Sequence, residues 1–391
     1  MFPTRRITTS GGDVFRDEFS LAFDGTNDFV DCENVLDQGL GDFSISVWFK
    51  AGTNIAQYDA LCAKRDTNGT GFVMDIRGTD PFLIGFAMTD DSISTRTILG
   101  NTSITLDTWN HYIVVVDRTG TNKIYGYLNG VLDINPTNMT TLGSISNTES
   151  FGIGGRTVSG SVSNKFVGNI SEMAVYNKAL SASEVKTLYN GREPYNHKEG
   201  VCSSNLQAWY RMGDGRLDQK STNDLDGGIV TDMVTPTLGS DIFSGRGNFT
   251  DNSDNYWSFQ NAGGGDNIEI ADGVCKYKAS GATNGFLEKT GILTVGQMYR
   301  IDVDVTLNTG AALIIDDNNP YIKICNASET GRFTVYWKPQ NQTKFRLYRH
   351  DSTGDAYDQN VNIDNLIVRP VNGNAGALKN FPKSCFKGDT P

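Results

Sequence analysis

Carboxylates, aromatic rings and oxygen-rich turns are the side chains of this chain with chemistry to offer. Cutting a glycosidic bond needs two acidic groups flanking that bond. Glu172 has no second glutamate within reach along its strand, and glutamate is scarce throughout. Glu172 is therefore expected to make a structural contact. The three histidines, His111, His197 and His350, stand at no metal-ligand spacing from one another. Each is expected to be a satisfied or exposed histidine, with His111 structural. Nothing along the chain signals a Ser-His-Asp triad. Gly152-Ile153-Gly154-Gly155 lacks the Lys-Ser/Thr of a phosphate loop and reads as a turn. No catalytic constellation is legible, so the chain is expected not to be an enzyme.

Binding chemistry is better represented. Sugars stack their C–H faces on rings and bond their hydroxyls to polar neighbours. Tyr256 and Trp257 sit among Asp and Asn and are the leading pair, with a core role equally open. Tyr58, Arg77 and Arg96 are the candidates for a loop-end site in the first half. Trp48 and Trp109 fall in strands and are expected to be core. Hard cations take several oxygen ligands. Asp24, Asn27 and Asp28 crowd one turn and are the candidate calcium ligands. Similar acidic knots occur at residues 224–226, 251–254 and 316–319. None has a twelve-residue calcium-loop pattern, and Asx-turns explain each as well.

The elements that must position these groups are strands. Phe43, Ile45, Val47 and Phe49 alternate with Ser44, Ser46, Trp48 and Lys50, the period of a strand with one buried face. Further strands are expected at residues 19–23, 29–32, 71–76, 82–89, 110–116 and 123–128, with Asn129-Gly130 as a hairpin turn. Residues 166–176 read as a strand with Ile170, Glu172, Ala174 and Tyr176 on one face. A short helix follows, with Ser181 and Glu184 as a capping box and Gly191 as its left-handed stop. In the second half, Tyr299, Ile301, Val303, Val305 and Leu307 share a face, and residues 332–337, 344–349 and 362–368 alternate likewise. The 43 glycines suit many tight turns. Many short strands between turns mean sandwiches.

The ordered set of residues 20–30, 43–50, Lys64-Arg65, 109–117, 127–130, 152–154 and 166–190 resembles the laminin G-type, pentraxin-like pattern of concanavalin A-like lectins from end to end. The glycoside hydrolases of that fold carry Glu-x-Asp-x-x-Glu on one strand, a run this chain lacks. The second half is similar to the jelly roll of carbohydrate-binding modules and galactose-binding-like domains, ending in Ile363-Asp364-Asn365-Leu366-Ile367-Val368. Trp209-Tyr210-Arg211-Met212-Gly213-Asp214-Gly215 resembles a stretch that trails laminin G-like domains in structural proteins of marine bacteriophages. These resemblances imply an all-β fold of two antiparallel β-sandwiches in series. The expected segments are an N-terminal arm (1–17), a laminin G-like domain (18–195), a connector (196–245), a carbohydrate-binding-module-like domain (246–372) and a tail (373–391) that packs on a neighbour or stays mobile.

Length, charge and cysteine usage bound the function. The chain has 391 residues, room for two sandwiches, and 38% hydrophobic content, enough for buried cores. A net charge of −11 argues against nucleic acid as the partner. No segment has the apolar length to span a bilayer. Read from Met1, the N-terminus has no apolar run after its arginines, so folding in a cytoplasm is expected. The six cysteines form no Cys-x-x-Cys pair, which argues against zinc and favours buried thiols over disulfides. The function expected is a non-enzymatic virion protein of a tailed bacteriophage, a capsid decoration, head fibre or tail-associated adhesin. Its partners would be other virion proteins and host or environmental glycans, and fibres of this kind are commonly trimers. The alternative is a glycan-binding module of a bacterial surface protein or larger hydrolase.

Overall fold

The structure is a computed structural model. It describes residues 15–215, 218, 228–234, 237–250, 256–260, 267–279, 286–309, 312–316, 321–326, 328–340, 342–350, 359–373, 375–381 and 384–391. The acidic knots at 224–226, 251–254 and 317–319 lie outside the described residues, as does most of the N-terminal arm. The chain divides into two units. Unit 1 takes residues 1–219, 230–235 and 378–391, and unit 2 takes 220–229 and 236–377.

Unit 1 opens with β1 (Ser20–Asp24), β2 (Phe29–Asp31), β3 (Phe43–Ala51), β4 (Ala60–Arg65), β5 (Gly71–Arg77), β6 (Leu83–Thr89), β7 (Thr95–Leu99), β8 (Trp109–Asp117) and β9 (Lys123–Leu128). It continues with β10 (Val131–Leu132), β11 (Thr137–Asn138), β12 (Gly152–Ile153), β13 (Arg156–Val158), β14 (Ser161–Ser163), β15 (Val167–Tyr176), α1 (Ala182–Tyr189) and β16 (Leu206–Tyr210). One sheet runs β10-β9-β8-β3-β15-β1, and the other places β2-β12-β4-β5-β6-β7 side by side. Their pairings are antiparallel.

The alternation read from β3 decides which side chains meet. Phe43, Ile45, Val47 and Phe49 are buried against Phe72, Met74 and Ile76 of β5 and Phe86 of β6, in one apolar core. The opposite face of β3 is covered too. Ser44 Oγ donates to the Lys178 carbonyl at 2.8 Å, Ser46 Oγ meets His111 Nε2 at 2.8 Å, and Trp48 stacks on His111 with centroids 4.7 Å apart. His111 is thus a packing residue, and burial pushes its imidazole pKa down to about 3. Trp109 is only half-buried and donates its Nε1–H to Asp389 at 3.1 Å.

β15 departs from simple alternation. Its register against β3 shifts between Ser171 and Ala174, and Glu172 has φ +49°. This bulge reverses the phase. Ile170, Met173 and Val175 face the main core, while Ala174 and Tyr176 face the helix side with Trp209. The single face expected for Ile170, Glu172, Ala174 and Tyr176 is therefore corrected.

Segments read as connector and tail contribute to unit 1. β16 pairs with the second half of β15, Ala174 opposite Trp209. Phe386 and Lys387 pair with the edge of β1, and Leu378, Phe381 and Cys385 are buried in the core. An unpaired sheet edge is a liability that added strands remove, and alternation within a short tail cannot reveal which edge it serves.

The capping box forms on α1. Ser181 Oγ accepts from the Glu184 amide at 3.3 Å, and Glu184 Oε2 accepts from the Ser181 amide at 2.8 Å. The left-handed stop falls first on Asn190, φ +49°, and then on Gly191, φ +66°. Burial alone would raise the Glu184 pKa. Hydrogen bonds from the Cys202 thiol (2.9 Å), Lys178 (2.6 Å) and Ser181 outweigh it and hold the carboxyl at about 2. A depressed carboxylate adds stability above its unfolded pKa and loses it as pH falls through the folded value. The wild type is expected to lose about 1–2 kcal/mol more than Glu184→Gln between pH 4.5 and 2, the exposed Lys178 being discounted for solvent. Urea unfolding across that window measures it.

Unit 2 is also antiparallel. One sheet orders the strands Asn267–Ala271, Val274–Ala279, Gln359–Asn372, Tyr299–Thr309 and Gly331–Trp337, with Thr237–Leu238 on Gln359–Asn372. The other orders Ser258–Gln260, Phe286–Lys289, Phe345–His350, Ala312–Asp316 and Tyr321–Cys325. Tyr299, Ile301, Val303 and Val305 are buried as their alternation requires, against Leu287, Leu313 and Leu347. All six cysteines are thiols. Among the described residues no helix is long and apolar enough to cross a membrane.

Candidate functional site

In unit 2 the leading aromatic pair takes, at Trp257, the core role left open for it. Trp257 is 5% exposed, wedged against Phe243 (4.8 Å) and Phe249 (5.7 Å), and belongs to the core. Tyr256 is half-buried with Lys289 Nζ 4.0 Å over its ring. The indole offers no open face, and the half-buried Tyr256 ring is covered by the Lys289 ammonium. A lone Tyr-Trp pair in a polar segment does not reveal that Phe243 and Phe249 close over the indole.

The expected calcium turn is built by its own backbone. Asp24 Oδ1 accepts from the Thr26 amide at 2.7 Å, and Asp28 Oδ2 from the Asp24 amide at 3.1 Å. The Asn27 carbonyl accepts from Asn380 Nδ2 at 3.0 Å. Asp28 Oδ1 alone is buried and unpartnered, and burial followed by the Asp24 charge pushes its pKa up to about 6. One spare buried oxygen is a poor fit to a cation that wants six or more.

Tyr58 and Arg77 do come together. The outward residues of β4, β5 and β6 lie one row apart: Ala63, Val73 and Ala87 in one, Arg65, Gly71 and Thr89 in the next. Ala60, Ala63, Val73 and Ala87 make a buried small-residue floor. Around it stand polar groups. Arg77 Nε bonds Asp75 Oδ1 at 2.6 Å, and its Cζ sits 5.0 Å over the Tyr58 ring. Arg65 reaches the Gly69 carbonyl at 2.7 Å and Thr89 Oγ1 at 3.2 Å. Arg156, from β13, donates to the Asp66 carbonyl at 2.6 Å, and its Nε is buried with no partner. Gly85 makes room here, because a Cβ would lie 2.6 Å from Arg77 Cγ and 3.0 Å from Asp75 Oδ1.

The electrostatics are those of a cationic patch with one buried acid. Desolvation, then the Arg156 charge, lowers the Arg65 pKa, with Arg77 adding to it. Burial raises the Asp75 carboxyl to about 6 against the pull of Arg77. Tyr58 is 45% exposed and holds φ +75°, fixed by its amide on the Ile76 carbonyl at 2.7 Å. A bulky residue in the left-handed region marks stored strain. The patch thus offers an exposed ring, forked guanidinium donors and a titrating carboxyl. Such forks bind carboxylates and sulfates two bonds at a time.

Arg96 is elsewhere. It pairs across from Met88, whose side chain is in the core, and bonds the Thr140 carbonyl at 3.1 Å and Thr141 Oγ1 at 3.3 Å. Asp75, Arg65, Arg156 and Thr89 were missed as site residues. The spacing of Asp75 and Arg77, two apart on one strand, was the available signal. A cleft of about 490 Å³ lies elsewhere, lined by Tyr125, Tyr127, Lys178 and Glu184. Its charges are spent on each other, Lys178 on Glu184 at 2.6 Å and Asp117 on its own turn.

Comparison with known proteins places the fold. Residues 24–186 match the concanavalin A-like lectin/glucanases superfamily. No match was found among curated proteins. A heptameric SAP-like pentraxin from Limulus polyphemus is 16% identical, TM-score 0.38, over 44% of this chain and 82% of that one. The CBM40 of the Ruminococcus gnavus IT-sialidase, solved with α2,3-sialyllactose, is 20% identical, TM-score 0.34, over 39% and 84%. Tailspike protein 2 of the Escherichia coli O157:H7 bacteriophage CAB120 is 11% identical, TM-score 0.38, over 49% of this chain and 26% of that one. The match to the concanavalin A-like lectin/glucanases superfamily covers residues 24–186, less than half of the chain, and the paired antiparallel sheets of that segment agree with it.

Proposed function

We propose that this is a non-catalytic glycan-binding protein whose first unit docks an anionic saccharide on the outer face of β4, β5 and β6. The observation that carries the reading is the set of Arg65, Arg77 and Arg156 beside the exposed Tyr58, in a chain of net charge −11. Against that overall charge, a local cluster of guanidiniums selects a negatively charged ligand. The ring supplies the stacking face and Thr89 a hydroxyl partner. A glycan array spanning neutral, carboxylated and sulfated sugars tests it. Retention of acidic sugars is expected. Binding confined to neutral sugars, or release of sugar on incubation, overturns it.

Asp75 gives the binding a pH dependence. Ionised at pH 7.5, it repels an anion and occupies Arg77. Protonated below about 6, it does neither. Affinity for an acidic sugar is expected to rise about threefold to tenfold from pH 7.5 to 5. Asp75→Asn should bind at both pH values as the wild type binds at 5. Titration calorimetry reads this, and a flat wild-type profile contradicts it.

As to where the protein acts, we infer display on a tailed-bacteriophage virion, as decoration, fibre or tail adhesin. Two serial sandwiches and the Trp209–Gly215 stretch support this. Mass spectrometry of purified particles is expected to find it; its absence there turns the reading to a module of a bacterial surface protein.

A further inference from the structure

Three carboxylates from distant parts of unit 1 converge beside Arg211. Asp17, Glu172 and Asp214 each place an oxygen within 4.8 Å of the others. Glu172, aimed by the β15 bulge, is fully buried. Its Oε1 accepts from Arg211 Nε at 3.0 Å and its Oε2 from Trp209 Nε1 at 2.5 Å. Asp214 Oδ2 accepts the Glu18 and Phe19 amides at 2.6 and 2.8 Å. Asp17 is different. Both its carboxyl oxygens are buried and receive no N–H or hydroxyl donor, and the side chain lies against the Glu172 carboxyl, which it can hydrogen-bond only by carrying a proton.

Charge makes the same point independently. One guanidinium stands against three carboxyl groups in a desolvated place, so the ionised cluster needs further positive charge, from a cation or from bound protons. Arg211 lies 4.7 Å from the Phe15 ring and also donates to the Arg16 and Asp214 carbonyls. Buried charge without a counter-charge is expensive.

We propose that a calcium ion binds here, with Asp17 as its principal ligand and Asp214 and Glu172 completing the acidic side. A divalent cation neutralises the residual charge. Carboxylate oxygens suit a hard ion. Two oxygens on one ion can be no farther apart than twice the ion–oxygen distance, about 4.6–5.2 Å for calcium and about 4.0–4.2 Å for magnesium. The three oxygens lie within 4.8 Å of one another, inside the span that one calcium ion can bridge. The ion would pin residues 15–19, which lead into β1, to β15 and to the segment after β16. This site is separate from the Asp24–Asp28 turn and from the cationic patch.

The test uses the full chain, stripped with chelator, at pH 7.5. Calcium is expected to bind by calorimetry and, at about a hundredfold excess over its Kd, to raise the unfolding midpoint by about 5–10 °C. Asp17→Asn and Asp214→Asn should weaken binding at least about thirtyfold, and Asp28→Asn should leave it intact. Terbium offers a readout that needs no acidic variant to fold. Its emission should be sensitised through Trp209, whose indole bonds Glu172, and lost in Trp209→Phe. Three results overturn the proposal: no calcium binding by the wild type, binding lost in Asp28→Asn but kept in Asp17→Asn, or an unfolding midpoint that rises on acidification with no response to calcium. The last would assign the place to protons.

Discussion

Replacing Arg77 by alanine is expected to lower affinity for an acidic saccharide by about thirtyfold to a hundredfold. Removing a charge-assisted donor from a bound anion costs roughly 2–3 kcal/mol. The same change strips Asp75 of its partner. Asp75 is 3% exposed, so the single variant should also lose stability, which alone would confuse the result. The double variant Asp75→Asn/Arg77→Ala separates the two. It removes both charges, should recover thermal stability, and should still fail to bind. Tyr58→Ala should cost a further stacking contact, about threefold to tenfold. Arg96→Ala should change binding little, because its guanidinium is tied to residues 140 and 141 off this row. Calorimetry with one acidic oligosaccharide measures all four. Full binding by the double variant removes Arg77 from the site.

The second large effect lies at Glu172. Its carboxylate is the counter-charge of Arg211, whose side chain is 10% exposed while that of Glu172 is fully buried. Removing it leaves Asp17 and Asp214 beside Arg211 but strips Arg211 Nε and Trp209 Nε1 of their buried acceptor, at about 1–3 kcal/mol for each unmet donor. Glu172→Ala should therefore lower the unfolding midpoint of unit 1 by about 10 °C in the absence of added metal. Glu172→Gln should cost less, since it keeps an acceptor for Trp209 Nε1. Calorimetric melting reads these directly. A shift under about 2 °C for Glu172→Ala would show that the pair is solvated.

Strand parity was the legible part of this fold. The faces of β3 and of Tyr299–Thr309 follow from alternation because each strand has one face against its core. The β15 bulge was not legible. Glu172 takes φ +49° although glutamate has no preference for it, and only the partner register reveals the break. The site was legible in part for the same reason. Tyr58 and Arg77 were named, but their neighbours Arg65 and Arg156 come from a paired strand and a later hairpin. Arg96 was assigned with them because the parity of β7 depends on how it registers against β6, which local sequence does not state. Trp257 was left open because an indole in a polar segment reads alike whether it is capped or bare. The cluster at Asp17, Glu172 and Asp214 gave no sequence signal, its members being far apart along the chain.

The central claim is that saccharide docks on the guanidinium face of β4, β5 and β6. Nuclear magnetic resonance of arginine side chains, with acidic oligosaccharide titrated into the full chain, tests it most directly. The Nε–H signals of Arg65, Arg77 and Arg156 are expected to shift together and saturably, with Arg96 unmoved. Shifts confined to other arginines, or saturable binding that moves none of those three, would contradict the claim.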